Sequence, residues 1–160
     1  MKLMKDTVRS LIALTILAAT LAASAAEKRS DNPLMEPVKS VLDNYLLIQR
    51  ELAKDSMKGV AEHAVAISKA VKHDDMKMLP LDVAKQADTL AAAKDIKKAR
   101  EAFKPLSASL VKYLADNKAG KGTYHEAYCP MAKASWLQSE KDIRNPYYGK
   151  SMLDCGTLKN

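Results

Sequence analysis

Histidine and glycine are scarce in this chain, and their scarcity removes several chemistries at once. Of 160 residues only three are histidine and five are glycine. His63, His73 and His125 are scattered, and none belongs to a His-Glu-x-x-His helix. The glycines form neither a phosphate loop nor a Gly-x-Ser-x-Gly nucleophile elbow. Hydrolytic and phosphoryl-transfer chemistry therefore has no footing, and the expectation is a protein that is not an enzyme. Aromatic residues make up 5%, with one Phe and one Trp, and few of them lie upstream of the C-terminal tail. The net charge of +7 is spread along the chain rather than massed. That pattern reads as a solvated surface, not a nucleic-acid site. There are two cysteines, too few and too far apart for a Cys-x2-Cys zinc site, and Cys-x-x-Cys-His haem attachment is absent.

The N-terminus reads as an export signal. Lys2, Lys5 and Arg9 precede an apolar run, Leu11 to Leu21, and then the small residues Ala22, Ala23, Ser24, Ala25 and Ala26. At roughly 16 residues the apolar stretch is shorter than the ~20 that span a bilayer. Residues 1–26 are thus expected to be a cleaved signal peptide, leaving no membrane segment. No cysteine sits at the cut to carry a lipid. Residues 27–33, polar and ending in Asn32-Pro33, are expected to be a flexible leader. Residues 34–160, about the size of one domain, follow.

Four apolar stripes recur at helical spacing in that domain. The first runs through Leu34, Val38, Val41, Leu42, Tyr45, Ile48 and Leu52. Asp55-Ser56 ends it and offers a cap to a second helix carrying Met57, Val60, Ala61, Ala64, Ile67 and Val71. A third begins near Asp82 with Val83, Ala87, Leu90 and Ala91 inward. Asp95 can cap a fourth, with Ile96, Ala99, Phe103, Leu106, Leu110 and Leu114 inward, and Pro105 is expected to kink or restart it. The expected fold class is all-α: an up-and-down antiparallel four-helix bundle. An irregular C-terminal segment, 123–158, which could include one short β-strand, packs on it. Helices two and three bury mostly alanine, so Trp136, Tyr147 and Tyr148 are the residues able to complete the core. Asn145 to Gly149 reads as a turn whose tyrosines pack on the bundle. His63 reads as a boundary histidine, and His73, Met76 and Met78 as a loop.

The tail concentrates sulfur. Tyr124 to Met131 alternates like a strand, which puts His125, Cys129 and Met131 on one side. Pro130 favours extended backbone at Cys129. Met152 and Cys155, three apart, share a face on one turn. Thiolate and thioether are soft donors that select copper(I), or silver(I), over magnesium or calcium. Cys129, Met131, Met152, Cys155 and His125 are therefore the candidate metal ligands. In an oxidising compartment Cys129 and Cys155 could equally pair as a disulfide, worth roughly 3–4 kcal/mol in the chain-entropy model. Both options remain open on spacing alone.

The runs Tyr-Cys-Pro-Met (128–131), Trp-Leu (136–137), Ile-Arg-Asn-Pro-Tyr-Tyr-Gly (143–149) and Met-Leu-Asp-Cys-Gly (152–156) resemble a bacterial family of unknown function. Arg100, Phe103, Leu106 and Ser107 match its Arg-x-x-Phe-x-x-Leu-Ser pattern. That family occurs as stand-alone exported proteins and fused to periplasmic adaptor subunits of heavy-metal efflux pumps of the resistance-nodulation-division class. The resemblance implies a periplasmic role in copper or silver handling. It implies Cys129, Met131, Met152 and Cys155 as ligands, with His125 less firmly included, and an efflux adaptor or other metal-handling protein as partner. The alternative is a disulfide-stapled helical interaction protein of the cell envelope without a metal.

Overall fold

The computed structural model describes residues 34–159, so the expected signal peptide and leader lie outside the described residues. Four helices come first: α1 (Val38–Ala53), α2 (Val60–Lys72), α3 (Leu81–Ala91) and α4 (Ile96–Asn117). Three strands follow, β1 (His125–Cys129), β2 (Ala134–Gln138) and β3 (Thr157–Leu158), with a 3-10 turn at Gly149–Met152. They form one antiparallel sheet in the order β2-β1-β3. The protein is thus mostly helical but not all-α. The expected single short strand is corrected to a three-stranded sheet. Alternation failed to announce β2 because Trp136, Leu137 and Gln138 are all buried; a strand covered on both faces loses its period of two. Among the described residues no helix is long and apolar enough to cross a membrane.

Successive helices pack on one another, but α4 meets β2 far more than it meets α1. The sheet occupies the place where a closed bundle would bring its first and last helices together. The reason lies in side-chain volume. Ala64, Ala84 and Ala87 bury little bulk, and the scarce aromatics supply the rest. Tyr45 stacks on Phe103 at 4.9 Å, Phe103 meets Tyr147 at 6.2 Å, and Tyr147 meets Trp136 edge-on at 5.8 Å. The only Phe and the only Trp both belong to this column, which runs from α1 through α4 to the sheet. Such pairs add about 0.5–1.5 kcal/mol each beyond the area they bury.

Helix boundaries show two departures. Asp55 does not cap α2; its backbone turns left-handed at φ 61° and its carboxylate pairs with Arg100 instead. Gly59 occupies the N-cap position. Pro105 does not restart α4, which runs as one helix to Asn117. Pro105 and Glu101 both lie on the exposed face, so the Glu101 carbonyl left without its helical donor can turn to water. Asp95 caps α4 as expected, accepting from Lys98 N at 2.8 Å.

As an edge strand β2 needs partners for its outward backbone groups. Two buried tyrosines provide them. Tyr45 Oη accepts from Leu137 N at 3.1 Å and shares a 2.7 Å hydrogen bond with Ser107 Oγ; Tyr147 Oη donates to the Ser135 carbonyl at 2.5 Å. Burial pushes both phenols up, so they stay protonated. Tyr45→Phe keeps the ring stack but strands the Leu137 N–H and the Ser107 hydroxyl. A stability loss of about 2 kcal/mol is expected in urea unfolding; a loss under about 0.5 kcal/mol would mean that water replaces the phenol.

Candidate metal and thiol site

The site is built where the β1–β2 hairpin meets the C-terminal strap. β1 ends at Cys129 because Pro130 follows, and the chain reverses through Lys133 at φ 49° before Ala134 pairs back with Cys129. The strap arrives from the 3-10 turn and is held by the two-residue strand β3, in which Thr157 pairs with Tyr128. Gly156 lets it cross closely: at φ 152° an added Cβ would stand 2.8 Å from the Trp136 ring. Cys129 Sγ and Cys155 Sγ then lie 3.2 Å apart, both as free thiols. Cys129 is buried and Cys155 half-buried.

Polar groups converge on the buried sulfur. Ala132 N donates to Cys129 Sγ at 3.4 Å. Asn145 is fully buried; its Nδ2 donates to the Cys155 carbonyl at 2.7 Å, its Oδ1 accepts from Tyr147 N at 2.8 Å, and its own N–H reaches the Leu153 carbonyl. Burial works against a thiolate at Cys129. The Ala132 N–H, the Cys155 thiol, the Asn145 side chain and the Met131 N–H together outweigh it and hold the Cys129 thiol below its ordinary value. Its hydrogen bond to Cys129, then burial, then the charge on Cys129 push Cys155 up. Of the two, Cys129 is thus the sulfur whose surroundings favour losing its proton, and Cys155 the one that keeps it more tightly.

The other candidate ligands are placed unevenly. Met152 lies half-buried on the turn whose carbonyl accepts from Cys155 N at 3.1 Å. Met131 does not continue the strand face as expected. Past Pro130 it sits in the hairpin loop, 61% exposed, with its carbonyl accepting from Tyr148 Oη. His125 shares the Cys129 face of β1, opposite Gln138. It stands four residue steps along the strand from Cys129, about 13 Å at the strand rise, which puts it beyond an ion held by the two sulfurs. His63 bonds Asn44 on α1 at 2.9 Å rather than meeting the tail. His73 turns back on the Lys69 carbonyl, and Met76 stands exposed in the α2–α3 loop. Among the described residues no three His, Cys, Asp or Glu side chains converge as a metal group, so an ion at the dithiol would complete its shell with thioether or water.

Asn145 and Gln138 were not singled out from the sequence as site residues. Gln138 is buried and fully bonded, accepting from Trp136 Nε1 and Arg144 N and donating to the Glu140 and Asp142 carbonyls. It shapes the loop that delivers Asn145 to the sulfurs. Arg100 extends the frame, donating to the Pro146 and Leu52 carbonyls and to Asp55.

Fold and site together define a helical protein with a small antiparallel sheet and a cradled dithiol. The chain belongs to the family described as Protein of unknown function (DUF3347), whose model matches residues 41–122. The match includes Arg100, Phe103, Leu106 and Ser107 and stops ahead of β1, so both cysteines lie outside it. Comparison with curated proteins and with solved structures finds no match.

Proposed function

We infer that this chain is an exported, periplasmic metal-binding protein that holds copper(I), or silver(I), between Cys129 and Cys155. It serves heavy-metal efflux or homeostasis and hands its ion to an efflux adaptor or another metal-handling protein. The observation that carries this is the 3.2 Å approach of two sulfurs, one of them buried and receiving an N–H hydrogen bond. Soft thiolates select a soft monovalent ion. A tetrahedral ion with metal–sulfur bonds of about 2.3 Å needs its sulfurs about 3.8 Å apart. A small outward shift of the strap suffices, and Cys155 is on the less buried side. Met131 and Met152 complete or shield the shell; His125 does not take part.

Competition between the reduced protein and a copper(I) chelator tests this. About one equivalent of copper should move to the protein, since one dithiol makes one site. No transfer would remove the metal site. The same sulfur–sulfur distance favours the second reading, a disulfide-stapled interaction protein of the envelope, and that would then stand alone.

A further inference from the structure

We propose that Cys129 and Cys155 form a thiol–disulfide exchange site at which Cys155 accepts the mixed disulfide from a small-molecule disulfide and Cys129 resolves it. The division of labour follows from where the two sulfurs sit. Cys129 has no exposed surface and lies behind the hairpin turn, so an external disulfide cannot reach it. Cys155 is half-buried on the strap, one residue after the exposed Asp154. Once Cys155 carries an adduct, the nearest nucleophile is Cys129 Sγ, 3.2 Å away. Ring closure needs the sulfurs to approach only to about 2.05 Å. From 3.2 Å that is a movement of about 1 Å, small enough to leave in place the short strand β3 and the Asn145 bond to the Cys155 carbonyl that hold the strap.

The chemistry balances without a metal. The Cys155 sulfur, giving up its proton to solvent, attacks one sulfur of the external disulfide. A Cys155 mixed disulfide forms and the first small thiolate leaves. The Cys129 sulfur then attacks Cys155 Sγ, the intramolecular bond forms, and the second small thiolate leaves. Two electrons pass from the protein dithiol to the external disulfide, and the departing thiolates take up protons. The oxidised product has no thiolate to offer an ion, so exchange would set how much of the protein can load metal.

Glutathione disulfide added to the reduced, chelator-treated full chain tests this, with adducts read by intact mass and peptide mapping. Wild type should release two glutathione molecules per chain, one for each sulfur oxidised. It should end as the Cys129–Cys155 disulfide without accumulating an adduct. Cys129→Ser should trap one stable adduct on Cys155, and Cys155→Ser should take none until it is denatured. Because either variant could disturb the fold, pulse alkylation of unmodified reduced wild type is the independent measure. Cys155 should react at least about tenfold faster than Cys129. Equal alkylation rates, an adduct on Cys129 in folded Cys155→Ser, or a lasting adduct on wild type would each overturn the assignment. Because metal is absent throughout, these outcomes are separate from the copper competition.

Discussion

Cys129→Ser is expected to lose copper(I) affinity by more than about a hundredfold, because even removing a group that merely supports a ligand costs about 10–100-fold. Serine keeps the size of the side chain but offers a neutral, hard oxygen where the ion wants a thiolate. The buried position makes the loss worse. The Ala132 N–H that faces the sulfur would be accepted by the serine oxygen instead, which fixes a hard donor in the place of the soft one. Cys155→Ser should lose a comparable amount. Met131→Leu should lose less and leave the fold intact, because its side chain stands in the loop at 61% exposure and packs little. Chelator competition on the variants, with urea melts alongside, reads both quantities. Undiminished binding in Cys129→Ser would place the copper elsewhere on the chain and end the dithiol assignment.

The second large effect concerns the frame rather than the sulfurs. Gly149→Ala should lower stability by about 3–4 kcal/mol, or roughly 10 °C in Tm. Gly149 has φ 55°, and a Cβ there would fall 2.0 Å from Asp55 Oδ1 and 2.3 Å from Arg100 Nη2. Neither neighbour can yield cheaply. Arg100 is 15% exposed and holds the Leu52 and Pro146 carbonyls, while Asp55 accepts from Lys150 N at 3.0 Å. Displacing the pair would undo the junction of α1, α4 and the turn. Gly122→Ala is the control: its φ is 82° but a Cβ there meets nothing within 4 Å, so only the backbone term of about 1–2 kcal/mol applies. Equal losses in the two variants would show that steric crowding at Gly149 is relieved. The junction also has an acid limb. The Arg100 hydrogen bond, followed by the Lys150 N–H, holds Asp55 below its ordinary 3.8. That carboxylate therefore contributes its stabilisation above the ordinary value and loses it as pH falls through the lowered one. Asp55→Asn should flatten this part of the acid-unfolding curve.

The same junction explains a link between distant stretches of sequence. Arg100, Phe103 and Ser107 lie on one face of α4, and Pro146, Tyr147 and Gly149 lie in the tail. Arg100 donates to Pro146, Phe103 packs against Tyr147, and Gly149 makes room for the Arg100–Asp55 pair. These positions carry the fold's closure, and the sulfurs sit beside them.

Four helices and the inward faces of most were legible from spacing, because a stripe at three- and four-residue steps has few other uses. The concentration of sulfur in the tail was legible too, as was the soft character of any ion it would hold. The sheet was not, since β2 is buried on both faces and β3 gains its identity only from pairing two residues with β1. Period two placed His125 and Cys129 on one face correctly, yet it measures direction and not distance, so the separation of the imidazole from the sulfur emerged only with the strand in hand. Met131 left that face because Pro130 and the left-handed Lys133 turned the chain, an event that alternation does not encode. The meeting of Cys129 with Cys155 across 26 residues, and the delivery of Asn145 to the Cys155 carbonyl, were decided by tertiary structure alone. Local sequence sets which way each side chain leans; only the closing of the strap over Trp136 sets what it leans against.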